Sequence, residues 1–191
     1  MNNGAIFLDR DGIINYDYGY VHKICDFKFI PNVLSTLRLL NELKMPIFII
    51  TNQAGIARGF YTKEDLFTLH NYLLSILKEN KINIKEIFFC PHHSEGKVPE
   101  YSFDCNCRKP KPGMILEAKK KYNLNLSDSF LIGDKYSDVQ AGINAGIKTN
   151  IINNLKNEEK LDPNKINFKF IEVKTLYNAY EIIKKQIADG K

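Results

Sequence analysis

"AIFLDRDG", Ala5 to Gly12, opens with an apolar run and ends in two acids around an arginine. A strand with one wet face alternates apolar and polar residues, whereas an unbroken apolar run marks a strand covered on both faces. A strand of that kind belongs in a sheet sandwiched between helices. Its charged residues, Asp9, Arg10 and Asp11, then stand at its carboxyl end.

Working outward, the pattern repeats. "MPIFIIT" (Met45–Thr51), "IKEIFFC" (Ile84–Cys90), "SFLIGD" (Ser129–Asp134), "KTNIIN" (Lys148–Asn153) and "FKFIEV" (Phe168–Val173) read as further strands. Between them lie helical periods: Asn32–Leu43, with Pro31 in its first turn, Thr62–Asn80, which opens on a capping Thr, Lys111–Asn123, Ser137–Gly146 and Thr175–Ile187. Lys156 to Asn164 reads as a polar loop. Strands alternating with helices predict an α/β fold, a Rossmann-like three-layer sandwich around a mainly parallel sheet. No linker divides the chain, so residues 1–191 are expected to form a single domain with the segment 90–107 inserted.

The totals fit that expectation. At 191 residues and 44% apolar, the chain can bury a core without staples. Its net charge of +5 is spread along the chain, which fits solvated surface better than a nucleic-acid patch. "MNNGAIFLDRDG" has no basic and apolar leader, and no apolar run reaches the ~18 residues of a membrane span. The expectation is a cytoplasmic protein with no membrane partner. No heptad or long apolar surface stripe appears, so a monomer is expected.

In open α/β sheets, ligands bind beyond the carboxyl ends of the strands. Asp9 and Asp11, then Thr51, Asn52 and Gln53, then Asp134 and Lys135 all fall at such ends. Three crowded carboxylates repel one another, and a hard divalent cation such as Mg²⁺ removes the conflict. With Thr51, Lys109 and Lys135 nearby, the set describes a phosphoryl-transfer site. A lone Asp-x-Asp is a weak signal, since most such pairs are turn or cap residues. The ordered set, each member at a strand end, is much stronger.

A second cluster lies in "CPHHSEGKVPEYSFDCNCRKPKPG", Cys90 to Gly113, which has no helical or strand period. Cys90-x-His92 and Cys105-x-Cys107 make two short bites, with His93 as an alternative to His92. Three sulfurs and one imidazole fill a tetrahedral Zn²⁺ site and leave no open position, so the zinc is structural. Reduced thiols in a metal-free loop are the plainer reading. Structural zinc is worth about 10–16 kcal/mol in finger peptides, against about 5–15 kcal/mol for a whole domain, so one ion can order such a loop. Arg108 and Lys109 follow the last thiol directly, so the metal would fix the backbone that delivers both cations.

"FLDRDG", "IITNQ", "CRKPKPGM" and "LIGDKYSD" together resemble the haloacid dehalogenase-like (HAD) phosphatases. "DYGYVHK", "TNQAGIARG" and "CPHH…CNCRKPKPGM" are similar in detail to the heptose 1,7-bisphosphate 7-phosphatases. The resemblance covers about residues 4 to 153. It implies Asp9 as nucleophile and Asp11 as general acid and base. It implies Mg²⁺ on Asp9, Asp134 and the backbone carbonyl of Asp11, with no large cap domain. Thr51 and Lys109 would bind phosphoryl oxygens, and Lys135 would add charge. Asp17, Tyr18, Gly19, Tyr20, Thr51, Asn52, Gln53, Ala54 and Arg108 would contact a small sugar bisphosphate, with Arg58 a weaker candidate. It also favours His92 over His93 as the zinc ligand.

The nearest competing function is a histidinol-phosphate phosphatase, which shares fold and a similar loop. A zinc-containing binding module without catalysis is a rival from another class. Several residues are read as structural: Cys25 as a packed thiol, His70 as a structural or surface residue, and Tyr16, Tyr18 and Tyr20 chiefly as packing, with some credit to Tyr20 as a contact from "DYGY". Asp138 reads as support for Lys135 or the metal, or as a helix cap. Lys119 to Tyr122 reads as a solvated helix face.

Overall fold

The computed structural model describes residues 3–153 and 169–190. Among these residues six strands form one sheet: β1 (Ile6–Leu8), β2 (Ile47–Asn52), β3 (Glu86–Cys90), β4 (Phe130–Gly133), β5 (Thr149–Asn153) and β6 (Ile171–Val173). The order is β3-β2-β1-β4-β5-β6, and every neighbouring pair is parallel. Among the described residues five α-helices accompany them: α1 (Val33–Glu42), α2 (Lys63–Glu79), α3 (Gly113–Tyr122), α4 (Tyr136–Ala145) and α5 (Leu176–Ala188).

Side-chain alternation along buried strands splits the core in two. Ile6 and Leu8 of β1 face α1, α2 and α5 through Leu37, Leu73 and Ile183. Phe7 points the other way, onto Phe48 and the α3 residues Met114 and Ile115. Both faces are therefore covered, which is why the strands read as continuous apolar runs.

After β3 the chain returns to place β4 on the far side of β1. Between β1 and β4 the winding reverses, and a crevice opens at the carboxyl edge there. Leu8 pairs with Ile49 and Ile132 in register, so Asp9, Thr51 and Asp134 leave the sheet at one edge.

Local signals hold with two adjustments. Thr62 caps α2 by a reciprocal pair of bonds with Asp65. Pro31 lies outside α1: the helix begins at Val33, and Asn32 before it takes a left-handed conformation, φ 63°. Of the last apolar segment, Ile171–Val173 is strand, and Lys156 to Asn164 and Phe168 lie outside the described residues. No described helix is long and apolar enough to cross a membrane.

Candidate active site

Lys109 is the hub of the site. Its ammonium meets Asp9 Oδ1 at 2.8 Å, Asp138 Oδ1 at 2.6 Å and the Ile50 carbonyl at 3.0 Å. An ammonium has three protons, and all three are placed. Burial works against the charge of Lys109, yet Asp138 and Asp9 beside it outweigh burial and hold its pKa above the ordinary lysine value.

Asp9 is 5% exposed. Burial pushes its pKa up to about 8; Lys109 opposes this, while Asp138, Asp134 and Asp11 add to it. A nucleophilic carboxylate must be ionised near neutral pH, so this crowding calls for more positive charge. Asp9, Asp134 and Asp138 each offer an oxygen within 4.8 Å of the others. Three hard oxygen donors at a buried strand edge suit Mg²⁺. The backbone makes room for them: Gly12, at φ +91°, has no Cβ, and one there would collide with the Asp134 carboxylate.

Asp138 adds a further job. Its Oδ2 accepts from the Lys135 backbone N–H at 3.0 Å, so it caps α4 while its other oxygen holds Lys109. Lys135 in turn crosses to Asp17 Oδ2 at 3.0 Å, tying the start of α4 to the segment that follows β1.

Asp11 lies beside these groups in the same cleft of about 490 Å³. Arg10, fully buried, grips both of its oxygens at 2.9 and 3.0 Å. Asn15 Nδ2 and Gln53 Nε2 donate to it at 2.9 and 3.1 Å, and Tyr61 donates to Gln53 Oε1 at 2.6 Å.

The four zinc candidates also converge. Cys90 Sγ lies 3.4 Å from Cys105 Sγ and 3.0 Å from Cys107 Sγ, and His92 Nδ1 lies 3.2 Å from Cys107 Sγ. Those separations are far longer than the ~2.05 Å of a disulfide. The bond shared with Cys90 pushes the Cys107 thiol down to about 5 and Cys90 up. A ready thiolate among soft donors suits Zn²⁺. His93 is elsewhere: its Nε2 meets Arg58 Nη2 at 3.3 Å on the wall of the cleft.

A sequence profile described as HAD-hydrolase-like matches residues 106–167. A D-glycero-β-D-manno-heptose-1,7-bisphosphate 7-phosphatase from Haemophilus influenzae is 48% identical over 141 residues, 74% of this chain and 76% of that protein. A D-glycero-α-D-manno-heptose-1,7-bisphosphate 7-phosphatase from Photorhabdus laumondii is 50% identical over 136 residues, 71% and 74% of the two chains. The chain belongs to the heptose-1,7-bisphosphate 7-phosphatase family of HAD-like hydrolases. It is a phosphoric monoester hydrolase. A D,D-heptose 1,7-bisphosphate phosphatase from B. bronchiseptica, solved with magnesium and phosphate, superposes with a TM-score of 0.83 at 26% identity, over 96% of this chain and 99% of that one.

Against the resemblance to this family, most expected residues line the cleft: Asp17, Gly19 and Tyr20 after β1, Thr51 to Ala54 at the end of β2 and just beyond it, and Arg108, Lys109 and Lys135. Asp134 sits behind them, buried. Tyr18 is outside the cleft, 60% exposed and stacked on Tyr16 at 5.8 Å. Asn52 spends its side chain on the Lys109 backbone, and Gln53 spends its own on Asp11 and Thr51.

Some residues read as structural stand otherwise. Cys25 is exposed, not packed, because its short 3₁₀ turn, Ile24–Asp26, buries none of its residues. Tyr16, Tyr18 and Tyr20 are likewise exposed. Lys119 and Lys120 face solvent, but Tyr122 packs on Phe48. Sequence reasoning also passed over Tyr61, His93 and Ser137 as cleft residues. Only their nearness to "TNQAGIARG", the zinc bites and Asp138 could have flagged them.

Proposed function

We propose that this chain is a cytoplasmic, Mg²⁺-dependent phosphatase that removes the 7-phosphate of D-glycero-D-manno-heptose 1,7-bisphosphate. The product, heptose 1-phosphate, is a substrate for activation by a nucleotide. The arrangement that carries the reading is Asp9 held by Lys109 at 2.8 Å at the carboxyl edge of β1, with Asp11 in the same cleft.

Asp9 attacks phosphorus and forms an aspartyl-phosphate as the bond to the C7 oxygen breaks. Asp11 gives a proton to the leaving oxygen, then takes one from the water that hydrolyses the intermediate. Lys109 and Thr51 stabilise the charge on the transferring group. Asp9, Asp134 and the carbonyl of Asp11 would hold Mg²⁺, with Asp138 within reach. Bound there, the ion supplies charge neutralisation for Asp9 and the phosphoryl oxygens.

Zn²⁺ on Cys90, His92, Cys105 and Cys107 is structural in this reading, ordering the loop that ends in Arg108 and Lys109. Asp17, Gly19, Tyr20 and Arg108 would address the sugar or its second phosphate, with Arg58 as a further cation. The chain acts as a single-domain monomer on a small molecule, with no nucleic-acid or membrane partner.

In this reading "QAGIARG" and the excursion between the zinc bites favour a heptose over a histidinol substrate, and the two segments adjoin. Lys97 N–H and Val98 N–H donate to Ala57 O at 2.7 and 2.9 Å, joining "QAGIARG" to the excursion between the zinc bites. The test is phosphate release with Mg²⁺ from the α and β anomers of the heptose bisphosphate and from histidinol phosphate. The expected result is a higher kcat/KM for one heptose anomer. A preference for histidinol phosphate overturns the substrate and leaves the mechanism.

A further inference from the structure

Arg10 and His70 are 60 residues apart in sequence and 3.1 Å apart in the core, between Arg10 Nη1 and His70 Nε2. Arg10 is 0% exposed and His70 5%. An arginine can only donate, so Nε2 must carry the lone pair and His70 is the neutral tautomer protonated on Nδ1. Its surroundings enforce this: burial, and Arg10 next to it, push the imidazole down to about 3. The remaining arms of Arg10 are also placed. Nη2 bonds Asp11 Oδ1, Asp11 Oδ2 and the Val21 carbonyl at 2.9, 3.0 and 2.8 Å, and Nε reaches Asp11 Oδ1 at 3.3 Å.

A guanidinium is a rigid planar fork. Fixing one arm fixes the plane, and the plane sets where the other arms point. His70 holds the arm that Asp11 does not use. Phe89 packs near the imidazole, with ring centroids 6.1 Å apart, and α2 anchors its backbone.

We infer that His70 is a positioning residue for the reaction, setting the plane of Arg10 and through it the orientation of the Asp11 carboxyl. This rests on the reading of Asp11 as general acid and base. A pre-oriented acid, half-buried at the cleft, avoids reorganisation when the leaving oxygen develops charge. A flat hydrophobic residue at position 70 would fill space and let the fork turn.

The test uses leaving groups. A sugar phosphate leaves as a poor alkoxide and needs the acid, whereas p-nitrophenyl phosphate leaves as a stable phenolate and does not. The value kcat/KM reports the steps up to cleavage of that bond. The full chain is assayed with Mg²⁺ on the heptose bisphosphate and on p-nitrophenyl phosphate, as wild type, His70→Leu, His70→Gln, His70→Asn and Asp11→Asn. Gln can set an amide oxygen at the place of Nε2, and Asn is too short.

His70→Leu and His70→Asn are expected to lose about 10- to 100-fold more on the heptose bisphosphate than on the aryl phosphate, with His70→Gln restored to within about 3-fold. Equal losses on both substrates, or no advantage of Gln over Asn, overturn the proposal. If His70→Leu does not fold, the comparison of Gln with Asn decides alone. Asp11→Asn separates the two readings: absence of the leaving-group split there overturns the role of Asp11 itself. A split in Asp11→Asn without one at position 70 overturns only the role of His70.

Discussion

Asn52 and Lys109 are clasped head to head. The Asn52 side chain donates to the Lys109 carbonyl and accepts from the Lys109 backbone N–H, both at 3.1 Å. An asparagine at the end of β2 thereby fixes the peptide of the residue whose ammonium holds Asp9. The Lys109 backbone is thus held from two sides, by Asn52 and by the loop that ends in Cys107.

Asn52→Ala removes both bonds, each worth about 0.5–1.5 kcal/mol. Lys109 then loses its placement more than its charge. The expected outcome is a kcat lowered about 10-fold or more with a smaller change in KM. Steady-state kinetics on the heptose bisphosphate check this; a pure KM effect would reassign Asn52 to substrate contact.

Asp9→Asn removes the proposed nucleophile and one of the crowded carboxylates. Turnover should fall below detection while the melting temperature stays at or above that of the wild type without metal. The second half follows because burial and its carboxylate neighbours disfavour ionised Asp9. Calorimetry and phosphate release on the same sample test both halves, and retained activity sinks the mechanism.

Protonation of His70 should oppose folding. Its folded pKa, about 3, lies below the ordinary 6.5, so between these values the unfolded chain binds more protons. Stability therefore is present above about pH 6.5 and falls as pH drops toward 3, by at most about 1.4 kcal/mol per pH unit from this group. His70→Gln should flatten that slope in denaturant titrations run from pH 4 to 7. An unchanged slope would show that His70 is not the group involved.

Stripping zinc should loosen residues 90–107 and lower activity. The thiol cluster packs against the core through Cys90, Cys105 and Cys107, so its loss reaches Lys109. A chelator treatment followed by Mg²⁺ replacement, with metal content measured, should leave kcat reduced and amide exchange in the loop accelerated. Full activity in a sample shown to lack zinc counts against the ion's structural role.

The sequence by itself determined the parallel α/β layers, because strands covered on both faces must be continuously apolar. It determined that Asp9, Thr51 and Asp134 stand together, because parallel strands share one carboxyl edge. The thiol bites were legible for a similar reason, since ligands two residues apart need no long-range knowledge. Which histidine joins them was not legible from spacing: His92 and His93 differ by one residue, and only the folded loop turns one inward and the other to Arg58. Exposure of Cys25 and Tyr18 depended on how the segment after β1 lies over the sheet, which has no period to read. The partners of Asn52, Gln53 and His70 were decided by tertiary structure alone. Each bonds a residue far along the chain or reached across a turn, and periodicity reports which face a residue occupies, not which polar group waits there.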